Sequence, residues 1–121
     1  MTETFITRDG ITLSRYETGS GRPMVFQHGL CGDANQPAQV FPHDVGYRCL
    51  TLECRGHGTS TSGPPECLSI TTFADDIAGM ITANGLGPTV IGGISMGAAI
   101  ALRLAVTRPD LISALVLARP A

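Results

Sequence analysis

Residues 89–107 read TVIGGISMGAAIALRLAVT, and they predict a strand, a tight turn and a helix in succession. Residues 89–91 are apolar or β-branched, which is typical of a short buried strand. Met96–Thr107 is almost wholly apolar, which is typical of a helix buried on nearly all sides, and Pro109 ends it. The five residues at the junction, Gly93-Ile94-Ser95-Met96-Gly97, therefore lie at a predicted strand-to-helix turn.

The serine at this turn is a candidate nucleophile. Such a turn strains the serine backbone and exposes its hydroxyl, provided that the residues two before and two after it carry no side chain. Gly93 and Gly97 meet that condition, and the Met96 amide would face the oxyanion of a tetrahedral intermediate. The alternative is a glycine-rich turn that only packs a helix closely, as in dinucleotide-binding proteins. That alternative lacks its G-x-G-x-x-G pattern anywhere in the chain.

A second turn, His28-Gly29-Leu30-Cys31-Gly32, follows the predicted strand 23–27. An oxyanion hole takes one amide from the residue after the nucleophile and one from a loop of this kind, so Leu30 is the expected second donor. His28 and Gly29 are expected beside the substrate. The His28 ring is interpreted as a structural group of its turn rather than as a general base.

The rest of the chain reads as alternating strands and helices after an opening hairpin. Further strands are predicted at residues 3–7, 11–17, 48–53 and 111–117, with a short helix at 38–41. This order predicts an α/β fold, a mainly parallel sheet that starts antiparallel at its edge and has helices on both faces. Residues 55–66, rich in Gly, Pro, Ser and Thr, form a predicted loop that is long enough to cover a site.

One more helix is predicted after Ser69 or Thr71, either of which can cap it. Asn84-Gly85 ends it, and apolar residues at helical spacing form its buried face: Phe73, Ile77, Met80 and Ile81. Asp75 and Asp76 are expected in its first turn, where carboxylates stabilise a helix N-terminus.

Composition and charge exclude several classes of protein. The 121 residues suit one domain, and a net charge of −2 without a basic stripe argues against nucleic acid as a partner. The start MTETFITRDG lacks the features of a secretory signal, and no apolar run reaches transmembrane length, so a soluble cytoplasmic protein without membrane contact is expected.

Cysteine and histidine spacing gives no support for a metal or another cofactor, and none is predicted. The four cysteines show no C-x-x-C pattern and are expected to be free thiols, mostly small buried side chains. His28, His43 and His57 are not paired at ligand spacing.

Three motifs in order make the chain similar to the α/β-hydrolase superfamily over essentially its whole length. They are residues 26–30 (FQHGL), residues 53–58 (ECRGHG) and residues 93–97 (GISMG), followed by the closing strand 111–117. The second motif resembles the family turn D-x-R-G-x-G, with Glu53 where aspartate is usual.

The resemblance also implies what residues 1–121 lack. In that family the catalytic acid and histidine follow the serine along the chain, beyond the sixth strand. The sixth predicted strand here is 111–117, and every histidine precedes Ser95, so none occupies a family catalytic position. The chain is therefore interpreted as an N-terminal part of a hydrolase domain, an incomplete fold without its cap region and C-terminal part, and its own enzymatic activity is left open.

Two functional hypotheses follow. In the first, the chain belongs to a serine hydrolase acting on a small ester, lactone or related acyl compound, completed by a C-terminal segment; carbon–carbon bond hydrolysis and acyl transfer use the same serine turn. In the second, it is an inactive hydrolase fragment that serves as a binding or assembly module. A nucleotide-binding protein is disfavoured because no phosphate-loop motif occurs. Expected partners are the acyl substrate and either a complementary C-terminal half or a second copy paired through strand 111–117.

Overall fold

The computed structural model describes residues 2–42 and 45–119. Its strands are β1 (Thr2–Ile6), β2 (Thr12–Gly19), β3 (Arg22–Gln27), β4 (Tyr47–Leu52), β5 (Thr89–Ile94) and β6 (Ile112–Ala118). Its α-helices are α1 (Asn35–Val40), α2 (Ile70–Ala83) and α3 (Met96–Thr107).

The strands form one sheet in the order β1-β2-β4-β3-β5-β6. The β1–β2 and β2–β4 pairs are antiparallel, whereas β3 pairs parallel with both β4 and β5, and β5 pairs parallel with β6. This confirms the predicted mainly parallel sheet with an antiparallel edge. Strand β6 lies at the other edge, and no described strand pairs with its outer side.

Helices cover both faces of the sheet. Successive strand residues point to opposite faces, so Val25 and Met24 of β3 belong to different layers. Val25 lies in the larger core with the buried faces of α2 and α3, whereas Met24 packs in a smaller cluster with Phe41, just after α1. The predicted apolar face of α2 is confirmed, because Phe73, Ile77, Met80 and Ile81 are all buried.

The two faces determine where a crevice forms. Strands β3 and β5 are neighbours, but the chain leaves β3 toward α1 on one face and leaves β5 toward α3 on the other. Ligands of open parallel sheets bind at such a switch point, outside the carboxyl ends of the strands. His28 and Ser95 directly follow these two strand ends.

Two sequence-based expectations about helices are wrong. Helix α3 is not buried on all sides: Ala98, Ala101 and Leu104 face the core, but Leu102 is 50% exposed and Val106 is 73% exposed. The reason is that the sheet and α2 cover one side of α3 only, and composition does not reveal which sides are covered.

Among the described residues, no helix is both long and apolar enough to cross a membrane.

The second error concerns the start of α2. Ser69 is the N-cap, and its side chain accepts a hydrogen bond from the Thr72 amide. The helix therefore begins early enough that Asp75 and Asp76 lie beyond its first turn. Neither carboxylate caps the helix, and Asp76 has a different partner, described below.

Candidate active site

Ser95 connects β5 to α3 with an unusual backbone conformation. Its φ is 54° and its ψ is −108°, values that a residue with a side chain rarely adopts. The turn is held by hydrogen bonds from the Ser95 amide to the Ala118 carbonyl, 3.0 Å, and from the Ala99 amide to the Ser95 carbonyl, 3.1 Å. The Ser95 hydroxyl is partly exposed and makes no hydrogen bond to another described residue.

Two glycines permit this tight turn for steric reasons. A Cβ atom on Gly93 would overlap the backbone of Gly97. A Cβ atom on Gly97 would overlap the carbonyls of Gln27 and His28 at the end of β3. The first turn of α3 is thus packed directly against the end of the neighbouring strand, and no larger residue fits at either position.

The loop after β3 lies beside Ser95. A Cβ atom on Gly29 would be 3.6 Å from the Ser95 Cβ and 3.3 Å from the Ile94 carbonyl oxygen. In the described ranges 2–42 and 45–119, neither the Leu30 amide nor the Met96 amide has a hydrogen-bond acceptor. The structure therefore brings together Ser95, Gly29 and two segments with free amides.

His28 is a fully buried side chain that joins two strand ends. Its Nδ1–H donates to the Gly29 carbonyl, 2.8 Å, and its Nε2 accepts the Cys54 amide, 3.0 Å. Burial lowers the pKa of the ring, which suits the neutral form that these two bonds require. Because both ring nitrogens are bonded to backbone, the contacts support a structural role for His28 and give no support to its side chain as a substrate contact.

No other described histidine forms a hydrogen bond with the Ser95 hydroxyl. The His57 ring packs 4.9 Å from the His28 ring, between centroids, and its Nδ1 bonds to the Arg55 carbonyl at 3.0 Å. His43 lies outside the described residues. Within the described chain, Ser95 therefore has no base in contact with its hydroxyl.

The cysteines are free, as predicted, but they are not uniformly buried. Burial raises the pKa of Cys54 to about 12, so this thiol is neutral and a poor nucleophile. Cys49 is also buried, while Cys31 is exposed in the loop after β3. In the parts of the chain that the structure describes, no group of three His, Cys, Asp or Glu side chains could hold a metal ion.

Two side chains, the partly buried Gln36 and the buried Glu53, fix the loop after β3, and sequence reasoning missed the first of them. The Gln36 carbonyl oxygen accepts the Gly29 amide at 2.5 Å. Glu53 accepts the Ala34 amide and the Thr59 amide, both at 2.9 Å. The sequence marks Glu53 only as an unusual residue in the family-like turn 53–58, and no sequence pattern marks Gln36.

Asp76 forms a buried ion pair instead of capping α2. Arg55, 3% exposed, donates to Asp76 through Nε at 2.8 Å and through Nη2 at 2.9 Å. The same guanidinium donates twice to Asp9 in the β1–β2 turn, and these hydrogen bonds hold the Asp9 pKa well below its usual range. One arginine thus joins α2, the loop after β4 and the first hairpin.

Comparison with known proteins identifies the family. Residues 22–120 match the sequence pattern of the alpha/beta hydrolase fold. The chain therefore belongs to the α/β-hydrolase family, as its three motifs indicated.

Individual relatives carry several activities in their names. A non-heme chloroperoxidase, CPO-A1, from Kitasatospora aureofaciens is 40% identical over 93 residues, which are 75% of this chain and 34% of that protein. The sn-1-specific diacylglycerol lipase ABHD11 from Mus musculus is 38% identical over 96 residues, which are 77% of this chain and 31% of that protein.

One solved structure is similar to this chain in both its fold and its sequence. The esterase EaEST from Exiguobacterium antarcticum superposes with a TM-score of 0.86 at 31% identity, over 100% of this chain and 46% of that one. The chain spans less than half the length of these relatives.

Proposed function

We propose that this chain is the nucleophile-bearing part of a serine hydrolase that cleaves an ester, lactone or related acyl bond. Ser95 is the nucleophile, and the amides of Leu30 and Met96 bind the oxyanion. The observation that carries this proposal is the backbone of Ser95, at φ 54° and ψ −108°. A non-glycine residue kept in such a conformation indicates strain that serves a functional site.

The proposed reaction has two steps. The Ser95 oxygen attacks the acyl carbon, a base takes the hydroxyl proton, and the two amides stabilise the negative charge on the former carbonyl oxygen. Collapse releases the alcohol, which receives the proton, and leaves an acyl ester on Ser95. Water then attacks the acyl ester while the base takes a proton from it, and collapse releases the carboxylic acid and returns the proton to the Ser95 oxygen.

The relatives support the acyl chemistry. One is named a lipase and another an esterase, and both match this chain at 30% identity or more. The named chloroperoxidase shows that the family name alone does not fix the reaction, and the acceptor-free amides of Leu30 and Met96 add support for acyl chemistry. Those donors suit a developing oxyanion.

Among residues 2–42 and 45–119, no base contacts the Ser95 hydroxyl. His28 and His57 both use ring nitrogens to hold backbone carbonyls. We therefore assign the base and its orienting acid to sequence beyond residue 121, in keeping with the family order of serine, acid and histidine.

The test compares residues 1–121 alone with a fusion to the part of the Exiguobacterium esterase outside the matched region, using p-nitrophenyl acetate. We expect the fusion to turn over this ester and Ser95→Ala to abolish turnover. We expect the chain alone to be close to its own Ser95→Ala variant, because loss of the base costs about 10⁶ in kcat. The esterase, split and rejoined at the same place, is the positive control.

The second candidate is a catalytically inactive binding or assembly module. The missing contact between Ser95 and a base among the described residues favours it. A folded fusion whose turnover does not depend on Ser95, with an active rejoined esterase beside it, would contradict the hydrolase proposal and favour the module.

A further inference from the structure

The loop after β3 carries the proposed oxyanion donor Leu30, yet it contains few backbone hydrogen bonds. Within it, the Gly32 amide donates to the Gly29 carbonyl at 3.0 Å. Cys31 has a φ of 60°, outside the range that side chains favour. A loop with one internal backbone hydrogen bond and one strained residue needs support from side chains to keep one conformation.

Side chains supply that support at both ends of the loop. At the far end, Glu53 accepts the Ala34 amide at 2.9 Å. At the near end, the Gln36 carbonyl oxygen accepts the Gly29 amide at 2.5 Å. Gln36 lies in α1, so its side chain turns back from the helix across the loop.

The surrounding sequence is shaped to admit the Gln36 side chain. A Cβ atom on Gly32 would be only 2.6 Å from the Gln36 Oε1 atom, so a larger residue at position 32 would displace the amide. The same Oε1 atom is 3.4 Å from the place that a Cβ atom on Gly29 would occupy. Gly32 thus leaves room for the acceptor, whereas a Cβ atom on Gly29 would be in ordinary van der Waals contact with it.

The position of this hydrogen bond has a consequence for the active site. Gly29 is the residue that lies against Ser95, and its amide directly precedes that of Leu30. The bond from the Gly29 amide to Gln36 fixes the His28–Gly29 peptide beside Ser95. The next peptide carries the Leu30 amide and is held through its Gly29 carbonyl, which accepts from the His28 Nδ1–H and the Gly32 amide, and the Leu30 amide is left without an acceptor. A preorganised donor costs no reorganisation when charge develops.

We infer that Gln36 is a positioning residue: by holding the Gly29 amide, its side chain keeps the loop that carries the Leu30 amide against Ser95, where the oxyanion forms. This inference rests on the proposed function. Gln36 itself touches no reacting atom, and it acts through the loop backbone.

The variants separate the hydrogen bond from the shape of the side chain. Gln36→Met removes the acceptor and keeps the length, whereas Gln36→Glu keeps an oxygen acceptor. Gln39→Met is the matched control, because Gln39 lies in the same helix and its exposed side chain has no hydrogen bond to a described residue.

The first measurement is amide hydrogen exchange in the 121-residue chain by NMR, which needs no activity. We expect Gln36→Met to raise the exchange rate of the Gly29 amide tenfold or more, and the Ala34 amide, held by Glu53, to change less than twofold. Gln36→Glu and Gln39→Met should match the unchanged chain. An equal Gly29 rate in Gln36→Met and Gln39→Met would overturn the inference.

The second measurement is ester turnover by the fusion used to test the proposed function. We expect Gln36→Met to lower kcat at least tenfold with KM changed less than twofold, and Gln36→Glu to restore most of the rate. Unchanged kcat, or a rise in KM alone, would overturn the inference. If the fusion shows no Ser95-dependent turnover at all, the proposed function fails and the catalytic role of Gln36 with it, while the exchange result still decides whether Gln36 holds the loop.

Discussion

At the scale of single residues, the candidate site depends on strain and on close approach. Ser95 keeps its conformation because Gly93 and Gly97 let β5, α3 and the end of β3 come together. The hydrogen bond from the Ser95 amide to Ala118 adds β6 to that support. Such strain typically costs 1–3 kcal/mol and persists only where the surrounding structure fixes it.

Replacing Ser95 by glycine should release this strain. We expect Ser95→Gly to be more stable than Ser95→Ala by about 1 kcal/mol, because roughly 1–3 kcal/mol of relieved strain exceeds the roughly 0.4–1 kcal/mol that glycine costs through the unfolded state. Both variants lack the hydroxyl, so the comparison isolates the backbone. Urea unfolding followed by circular dichroism measures the difference, and equal midpoints would show that the turn is not strained.

His28 should make stability depend on pH. Burial lowers its folded pKa below the unfolded value of about 6.5, so the unfolded chain binds the proton first as the pH falls. The contribution of His28 to the free energy of unfolding should therefore be constant above about pH 7 and fall below about pH 6.5, by at most about 1.4 kcal/mol per pH unit.

The control for this effect is His28→Asn, which cannot titrate. The groups that act on His28 electrostatically, His57, Glu53 and Asp33, remain in both proteins. We expect the unchanged chain to lose more stability than the variant between pH 7 and pH 5 in urea titrations. Parallel pH profiles would mean that the ring is not held neutral.

At the scale of elements, one buried arginine joins parts that are distant in sequence. Arg55 connects the loop after β4 with α2 through Asp76 and with the β1–β2 turn through Asp9. Glu53, two residues earlier, connects the same loop to the segment before α1. The family-like turn after β4 thus fixes elements around the candidate site without contacting Ser95.

Removal of the Asp76 charge should lower the free energy of unfolding. Asp76→Asn leaves the buried Arg55 with only the half-exposed Asp9 as a charged partner, and we expect a loss of about 3 kcal/mol in the free energy of unfolding. Asp110→Asn is the matched control, since the Arg108–Asp110 pair is exposed and should contribute less than about 1 kcal/mol. Similar losses in the two variants, measured by denaturant unfolding, would contradict this role of Arg55.

The sequence allowed more of the elements to be predicted than of the contacts between them. Hydrophobic periodicity located the buried face of α2, because burial on one side leaves a regular pattern, and a nearly continuous apolar run ended by Pro109 located Met96–Thr107. The glycine pattern around Ser95 marked a turn whose crowding the structure explains. Asp76 and Gln36 could not be assigned, because their partners are Arg55 and Gly29, and single-sequence patterns do not reveal such pairings.

At the scale of the whole molecule, the sheet ends in the edge strand β6, which is apolar throughout most of its length. Leu115, Val116 and Leu117 of β6 are 36–44% exposed, and β6 carries no charge or proline that would discourage pairing. Leu102 and Val106 of α3 are also exposed. The relatives are more than twice as long as the region that they share with this chain.

We expect the 121-residue chain to self-associate through β6 when it is made alone. Light scattering and sedimentation over a dilution series should show a concentration-dependent dimer or larger species. Val116→Lys should reduce association, because a lysine on an edge strand opposes strand pairing. Val106→Lys, on α3, is the control for exposed apolar surface away from the edge, and a monomer that is stable at all concentrations would contradict the expectation.

The assignment of Ser95 as the nucleophile is tested most directly by finding the residue that a fluorophosphonate modifies in the fusion with the esterase segment. Peptide mapping by mass spectrometry should find the phosphonyl group on Ser95, with no labelling in Ser95→Ala and little labelling of residues 1–121 alone, because a serine without a base is a weak nucleophile. Labelling of another residue, or an unmodified Ser95 in a folded fusion beside a labelled rejoined esterase, would contradict the assignment of Ser95 as the nucleophile.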